Sequence, residues 1–218
     1  MTRLLGLEQV PVFCVPGDAK ITTEFGPNIP DYPTPGKSGD HWGLDMVLCT
    51  DGSNSKTCNI CAIAAGTVIA QRKWVKVYDE KGKKIYSPSE GNCVYILHDN
   101  NKTITRYYHF AYGSVPDKIV DGARVEAGEL LGKMGNTGYS FGAHLHFQVE
   151  LLDKAPTVID KTLKGTPVDP EPYLLGEKII GKEDEYFVVL GVFDTEKEAR
   201  KYQEALKILG TDSYIEKK

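Results

Sequence analysis

The chain has 218 residues, 41% of them hydrophobic, and a formal net charge of -4. That is enough for one ordinary domain with a small appendage and a real core, which excludes a disordered chain. A mildly acidic balance without a basic run excludes a nucleic-acid footprint, and no stretch approaches the about 18 apolar residues of a membrane-spanning helix.

The N-terminal stretch MTRLLGLEQVPVF carries a short, broken apolar patch. It lacks the uninterrupted apolar region and small-residue cleavage site of a secretory signal. The expectation is a protein that stays in the cytosol or leaves it by another route; a mature chain with its leader already removed would look the same. Residues 20–40, rich in Pro and Gly, predict an irregular or extended segment. GDHWGLDMV follows, with His41 and Asp45 four apart. Gly43 and the preceding SGD argue against a helix, and in an extended segment both side chains share a face.

Five cysteines stand at 14, 49, 58, 61 and 93. The odd count argues against a complete disulfide framework, so reduced thiols are the expected state. A Cys49–Cys58 loop disulfide and a cysteine metal site are the alternatives.

From residue 60 to 77, short apolar runs punctuated by Gly66 predict strands joined by turns. GNCVYILHDNNKTITRYYHF predicts a hairpin, with alternating residues on either side of a DNN turn. His98 lies at that turn and His109 at the end of the second strand. DGARVEAGELLGKMGNTG adds short strands and Gly-rich turns, and VDPEPYLL at 168–175 closes the domain. In GAHLHFQVE, strand alternation puts His144 and His146 on one face and Leu145 and Phe147 on the other, in the core. Two imidazoles on one rigid face suit a metal site or an acid/base pair.

The tail differs. EYFVVLGVF predicts a strand. DTEKEARKYQEALKILG predicts a helix with Ala199, Tyr202, Ala205, Leu206 and Leu209 on one face. Thr195 with Glu198 forms a capping box, Gly210 stands at the C-terminal cap, and TDSYIEKK predicts a second strand. The expected division is a main domain over 1–176 and a β-α-β module over 177–218. The fold class is mainly β: an antiparallel sheet domain with a groove, plus a small α+β C-terminal unit.

Taken together, His41-Trp42-Gly43-Leu44-Asp45, Tyr107-Tyr108-His109 and GNTGYSFGAHLHF resemble the M23 family of zinc metallopeptidases, the lysostaphin-type endopeptidases that cut peptidoglycan peptides. ITTEFG, AIAAGTVIA and VEAGELLGKMG fit that family's connecting segments, and the resemblance covers roughly residues 20–150. It implies one Zn2+ per chain, held by His41, Asp45 and His146, with His109 and His144 as catalytic histidines. His98 falls outside these roles and is read as structural. Tyr107, Tyr139 and Phe141 are expected to line the substrate groove. Ser140-Phe141-Gly142 and Gln148 depart from the family's usual residues, but neither departure falls on a ligand. The segment between Asp45 and Ala62 is longer than the family's usual link and is expected to wall the cleft.

The implied function is zinc-dependent hydrolysis of peptide bonds in bacterial peptidoglycan, with the wall as partner and neither nucleic acid nor membrane. With no leader visible, the resemblance suggests a phage lysin made in the host cytoplasm and acting on the wall. The tail resembles half of a SPOR domain, a peptidoglycan-binding module. Such a half is too short to bury a core alone, so a homodimer through it, or packing on the main domain, is expected. The competing readings are a non-catalytic wall-binding protein, a virion structural protein that keeps the fold, and a serine or cysteine hydrolase using Ser140 or Cys93. No G-x-S-x-G elbow supports the last.

Overall fold

The computed structural model describes residues 3–4, 11–14, 18–32, 37–50, 53–54 and 58–180. The chain divides into a unit of Met1–Glu185 and one of Tyr186–Lys218. The expected β-α-β tail lies outside the described residues.

The described strands are β1 (Arg3–Leu4), β2 (Asp18–Thr23), β3 (Gly26–Pro30), β4 (Ser38–His41), β5 (Leu44–Thr50), β6 (Ser53–Asn54) and β7 (Asn59–Cys61). They continue with β8 (Gly66–Arg72), β9 (Asn92–His98), β10 (Thr103–Phe110), β11 (Arg124–Val125), β12 (Leu130–Lys133), β13 (Leu145–Leu151) and β14 (Thr166–Val168). One short helix, α1 (Glu171–Leu174), is the last element among the described residues. The expected mainly β, antiparallel fold is what the chain adopts. The main sheet runs β1-β2-β5-β13-β10-β9-β8-β11, with β14 on β13 and β6 on β5, while β12-β7 and β3-β4 form two small ribbons. Residues 20–40 are more regular than expected, since they supply β2, β3 and the start of β4.

Alternation decides the two faces of the sheet. Leu145, Phe147 and Val149 of β13, Tyr107 of β10 and Val94 and Ile96 of β9 are fully buried together in the main core, with Phe13, Ile21 and Met46. The other face carries His146, Gln148 and Glu150 of β13 beside Arg106 and Tyr108 of β10. The predicted hairpin is β9 and β10, with Ile104 opposite Leu97. Tyr173 and Leu174 of α1 close the core, and Ile180 packs against it.

Two expectations fail here. Tyr107 does not line a groove: it is 0% exposed, its ring packs on Phe147 at 5.2 Å, and its hydroxyl accepts from the Ile63 amide. The cysteines are not all reduced, and Cys58 is not the bonded one. Cys14 pairs with Cys61 across a Cα separation of 5.4 Å, while Cys58 and Cys93 are free and buried. The pairing follows from the backbone, because the Cys14 amide donates to Asn59 and the Cys61 amide to Val12, which lays the two segments side by side. The segment expected to wall the cleft, between Asp45 and Ala62, falls partly outside the described residues.

Candidate active site

The site is built from one row across three strands. Asp45 of β5 lies opposite His146 of β13, and His146 lies opposite Tyr108 of β10. Directly opposed side chains share a face, so the carboxylate and the imidazole converge. His41 joins them from the end of β4, after which Trp42 and Gly43 bend the chain into β5.

His41 Nε2 is 3.1 Å from Asp45 Oδ1 and 3.0 Å from His146 Nδ1, and His146 Nδ1 is 2.9 Å from the same carboxylate oxygen. All three residues are buried. His41 Nδ1 donates to the Glu24 carbonyl at 2.7 Å, which leaves the lone pair on the Nε2 that faces the cluster. Tetrahedral zinc with ligand bonds of about 2.0–2.1 Å has donor–donor edges of about 3.3 Å. The triangle of donor atoms is close to that size. Two imidazole nitrogens and a carboxylate oxygen, all turned toward one point, fit the donor chemistry of zinc.

The Asp45 carboxyl is held well below the usual carboxylate range. Burial opposes this, but the neighbouring charge of His144 and hydrogen bonds from His144, His146 and His41 outweigh it. Burial lowers the pKa of His146, against the pull of Asp45. Burial also works against protonation of His144, yet the Asp45 charge wins and raises its pKa.

The two other histidines flank the triad. His144 Nε2 is 3.5 Å from Asp45 Oδ1, and its Nδ1 donates to the Gly142 carbonyl at 2.9 Å. His109 sits at a bulge of β10, where the pairing with β9 shifts register between Tyr107 and Phe110. Its φ is +67°, rare for a residue with a side chain, and its amide leaves the ladder to donate to Glu90. The bulge reverses the alternation and turns His109 to the side of Tyr108, with its ring 4.6 Å from His144 and 6.2 Å from His146. His109 Nδ1 donates to the Thr137 carbonyl at 2.8 Å, so its Nε2 is left for the site. Burial, then the charges of His144 and His146, push its pKa down to about 3.

Residues outside the expected set complete the site. Thr137 is fully buried; its hydroxyl donates to the Phe110 carbonyl and accepts from the Asn92 amide. The Asn92 side chain holds Val75 and Phe110 in turn, and this network pins the bulge. Gly138, at φ +76°, lets the Thr137–Tyr139 turn press onto the backbone at Gly91 with no room for a side chain. The Tyr108 ring stacks on His146 at 4.8 Å and 8°. The Tyr32 ring lies 4.7 Å from His41, and its hydroxyl is pushed up to about 12 by burial and by the charge of Asp45. Thr137 lies inside the GNTGYSFGAHLHF run and Asn92 inside the hairpin stretch, but the sequence pattern singles out neither of them, nor Tyr32, as part of the site.

Tyr139 and Phe141 are exposed beside His144, their rings 5.2 Å apart, and Tyr86 joins both at 5.6 and 5.9 Å. Ser140 is not a nucleophile. It is 2% exposed, and the His144 nitrogen near its hydroxyl is the one that donates to Gly142. The Cys93 thiol is buried, and burial pushes it up to about 11. His98 stands apart: both ring nitrogens are bonded, to the Ala65 carbonyl and the Thr105 hydroxyl.

The chain is 36% identical over 80 residues to the peptidoglycan DD-endopeptidase ShyC of Vibrio cholerae serotype O1, covering 36% of this chain and 17% of that protein. It is 29% identical over 150 residues to the glycyl-glycine endopeptidase ALE-1 of Staphylococcus capitis, covering 69% of this chain and 32% of that one. The chain thus spans less than a third of either relative's length. The catalytic domain of lysostaphin from Staphylococcus simulans superposes with a TM-score of 0.46 at 24% identity, over 70% of this chain and 89% of that one. The profile of peptidase family M23 matches residues 40–170, a span that holds all five converging histidine and aspartate positions. The chain belongs to peptidase family M23.

Proposed function

We propose that this chain is a zinc-dependent endopeptidase that hydrolyses peptide bonds of bacterial peptidoglycan, in the stem peptide or the cross-bridge. The observation that carries the reading is the convergence of His41 Nε2, Asp45 Oδ1 and His146 Nδ1, with His109 and His144 beside them. Family membership and relatives named as peptidoglycan DD-endopeptidase and glycyl-glycine endopeptidase support it.

In this reading His41, Asp45 and His146 hold one Zn2+. Three protein ligands leave a fourth position for water or substrate. When bound, zinc supplies Lewis acidity toward a peptide carbonyl and brings the pKa of water at that position to about 7. One carboxylate and two neutral imidazoles leave that acidity largely intact, with a net charge of about +1. His109 and His144 each tie Nδ1 to a backbone carbonyl, which orients both rings and leaves Nε2 to handle protons. Between them they take the proton of the attacking water and deliver one to the leaving amine as the C–N bond breaks. Tyr139 and Phe141 offer apolar surface to the peptide. The 177–218 segment is read, on its sequence pattern alone, as a wall-binding or dimerising module.

The test is mass spectrometry of fragments released from purified sacculi of several wall types, with His144→Ala as control. New amino termini inside the peptides, absent with the variant, are expected. No fragments from any wall with zinc supplied would contradict the reading.

A further inference from the structure

Between β8 and β9 lies the segment Lys73–Gly91, whose Tyr78–Lys84 bridge folds it back on itself. It is fastened both to the loop that leads to His144 and to the β10 bulge that carries His109. The Tyr139 amide donates to Ser89 at 2.8 Å, and the His109 amide donates to Glu90. Its returning arm brings Tyr86 against Tyr139 and Phe141. It also brings Lys84, whose Nζ donates to the Asn136 carbonyl and stands 5.9 Å from the centre of the Tyr86 ring. With its amide turned to donate, Asn136 reaches Ser140 Oγ at 2.6 Å and the Gly142 carbonyl, the same carbonyl that holds His144. Lys84 is thus two residues removed from His144 along one hydrogen-bonded path.

Lys84 is only partly buried, and no carboxylate among the described residues lies within ion-pair distance of its ammonium. Lys73, at the start of the same segment, is paired with Asp117, while Lys76, Lys81 and Lys83, which have no ion pair among the described residues, are exposed to solvent. A partly desolvated cation without a counter-charge is costly, and an arriving anion relieves it. A carbonyl takes only one of its three N–H groups. Burial alone lowers its pKa, and its charge is felt at His144.

We propose that Lys84, with Tyr86 beneath it, binds a free carboxylate of the substrate next to the scissile bond, which selects acidic stem peptides over glycine bridges. This rests on the peptidase reading and names its substrate class. Lys84 is a specificity residue: it touches the substrate, away from the reacting atoms.

The experiment uses the zinc-loaded full chain and three synthetic probes: a directly cross-linked stem-peptide dimer with free carboxylates, the same dimer with them amidated, and a pentaglycine-bridged dimer. Wild type should prefer the free-carboxylate dimer to its amide by about ten- to hundredfold in kcat/KM, carried mostly by KM, the range for a hydrogen bond to a charged group. Lys84→Met should lose that preference by losing rate on the free acid alone, and Lys84→Arg should keep most of it. Equal rates of wild type on acid and amide overturn the proposal without reference to any variant's folding. An equal loss on both probes in Lys84→Met overturns it as well. Cleavage confined to the glycine bridge overturns it while leaving the peptidase reading intact. No cleavage of any probe overturns both.

Discussion

Gly43 lies against the imidazole of His146, so close that a methyl group on its Cα would stand 2.6 Å from Nε2, 2.7 Å from Cε1 and 2.7 Å from the Phe147 carbonyl. The ring of the third proposed ligand therefore has its position set by a missing side chain in the bend between β4 and β5. Gly43→Ala should displace His146 and weaken zinc binding by about ten- to hundredfold, the range seen when groups that orient a ligand are changed. Competition against a chelator measures it. Unchanged affinity would show that His146 is free to swing.

The five site positions should separate into two classes. His41→Ala, Asp45→Ala or His146→Ala should lose the metal and the activity together. His109→Ala and His144→Ala should keep about one zinc per chain and lose activity by about a hundredfold or more. Metal analysis of the purified variants alongside their rates distinguishes the classes. Zinc loss in His109→Ala would move that residue among the ligands.

How much of this was legible in the sequence depends on the residue. The strand alternation of Leu145, His146 and Phe147 put the imidazole and the apolar side chains on opposite faces, and the structure does the same. The same rule misplaces His109, because plain alternation sends it to the face of Tyr107. The register shift that turns it back has no glycine or asparagine to announce it; it is held by Thr137 and Asn92 from distant segments. The adjacent tyrosines show the same limit. Tyr107 and Tyr108 look equivalent in sequence, yet pairing with β13 buries the first and stacks the second on His146. The Cys14–Cys61 pair was hidden because spacing says nothing about which segments lie side by side.

His98 gives the apo protein a pH dependence away from the site. Burial pushes its pKa down to about 4, against about 6.5 for a free imidazole. Above pH 6.5 it is neutral folded or unfolded, and its contribution is intact. As pH falls from 6.5 to 4, the unfolded chain takes up a proton that the folded one refuses, so stability falls by about 3 kcal/mol. Urea unfolding of zinc-stripped protein across that window should show a flatter dependence in His98→Gln than in wild type. Parallel curves would mean that His98 is protonated in the fold.

Arg106 and Glu150 form a buried bidentate pair at 2.8 and 2.9 Å, with the Arg106 guanidinium 4.4 Å above the Tyr95 ring and bonded to the Leu163 carbonyl. Removing one partner leaves the other charge buried and alone. Arg106→Met should destabilise the domain by about 3–5 kcal/mol, and adding Glu150→Leu should recover a substantial part of that. Denaturant unfolding of both variants is the check. A double variant less stable than the single one would show that the pair is not the source of the loss.

The most direct test of the central claim is removal and return of the metal with a chemical readout. The purified chain is stripped with a chelator, dialysed, and titrated with zinc while new free amino termini are counted on peptidoglycan fragments. The account predicts no termini without metal and recovery that saturates at one zinc per chain. Release of peptide fragments by the metal-free protein, or none at full zinc loading, would contradict it.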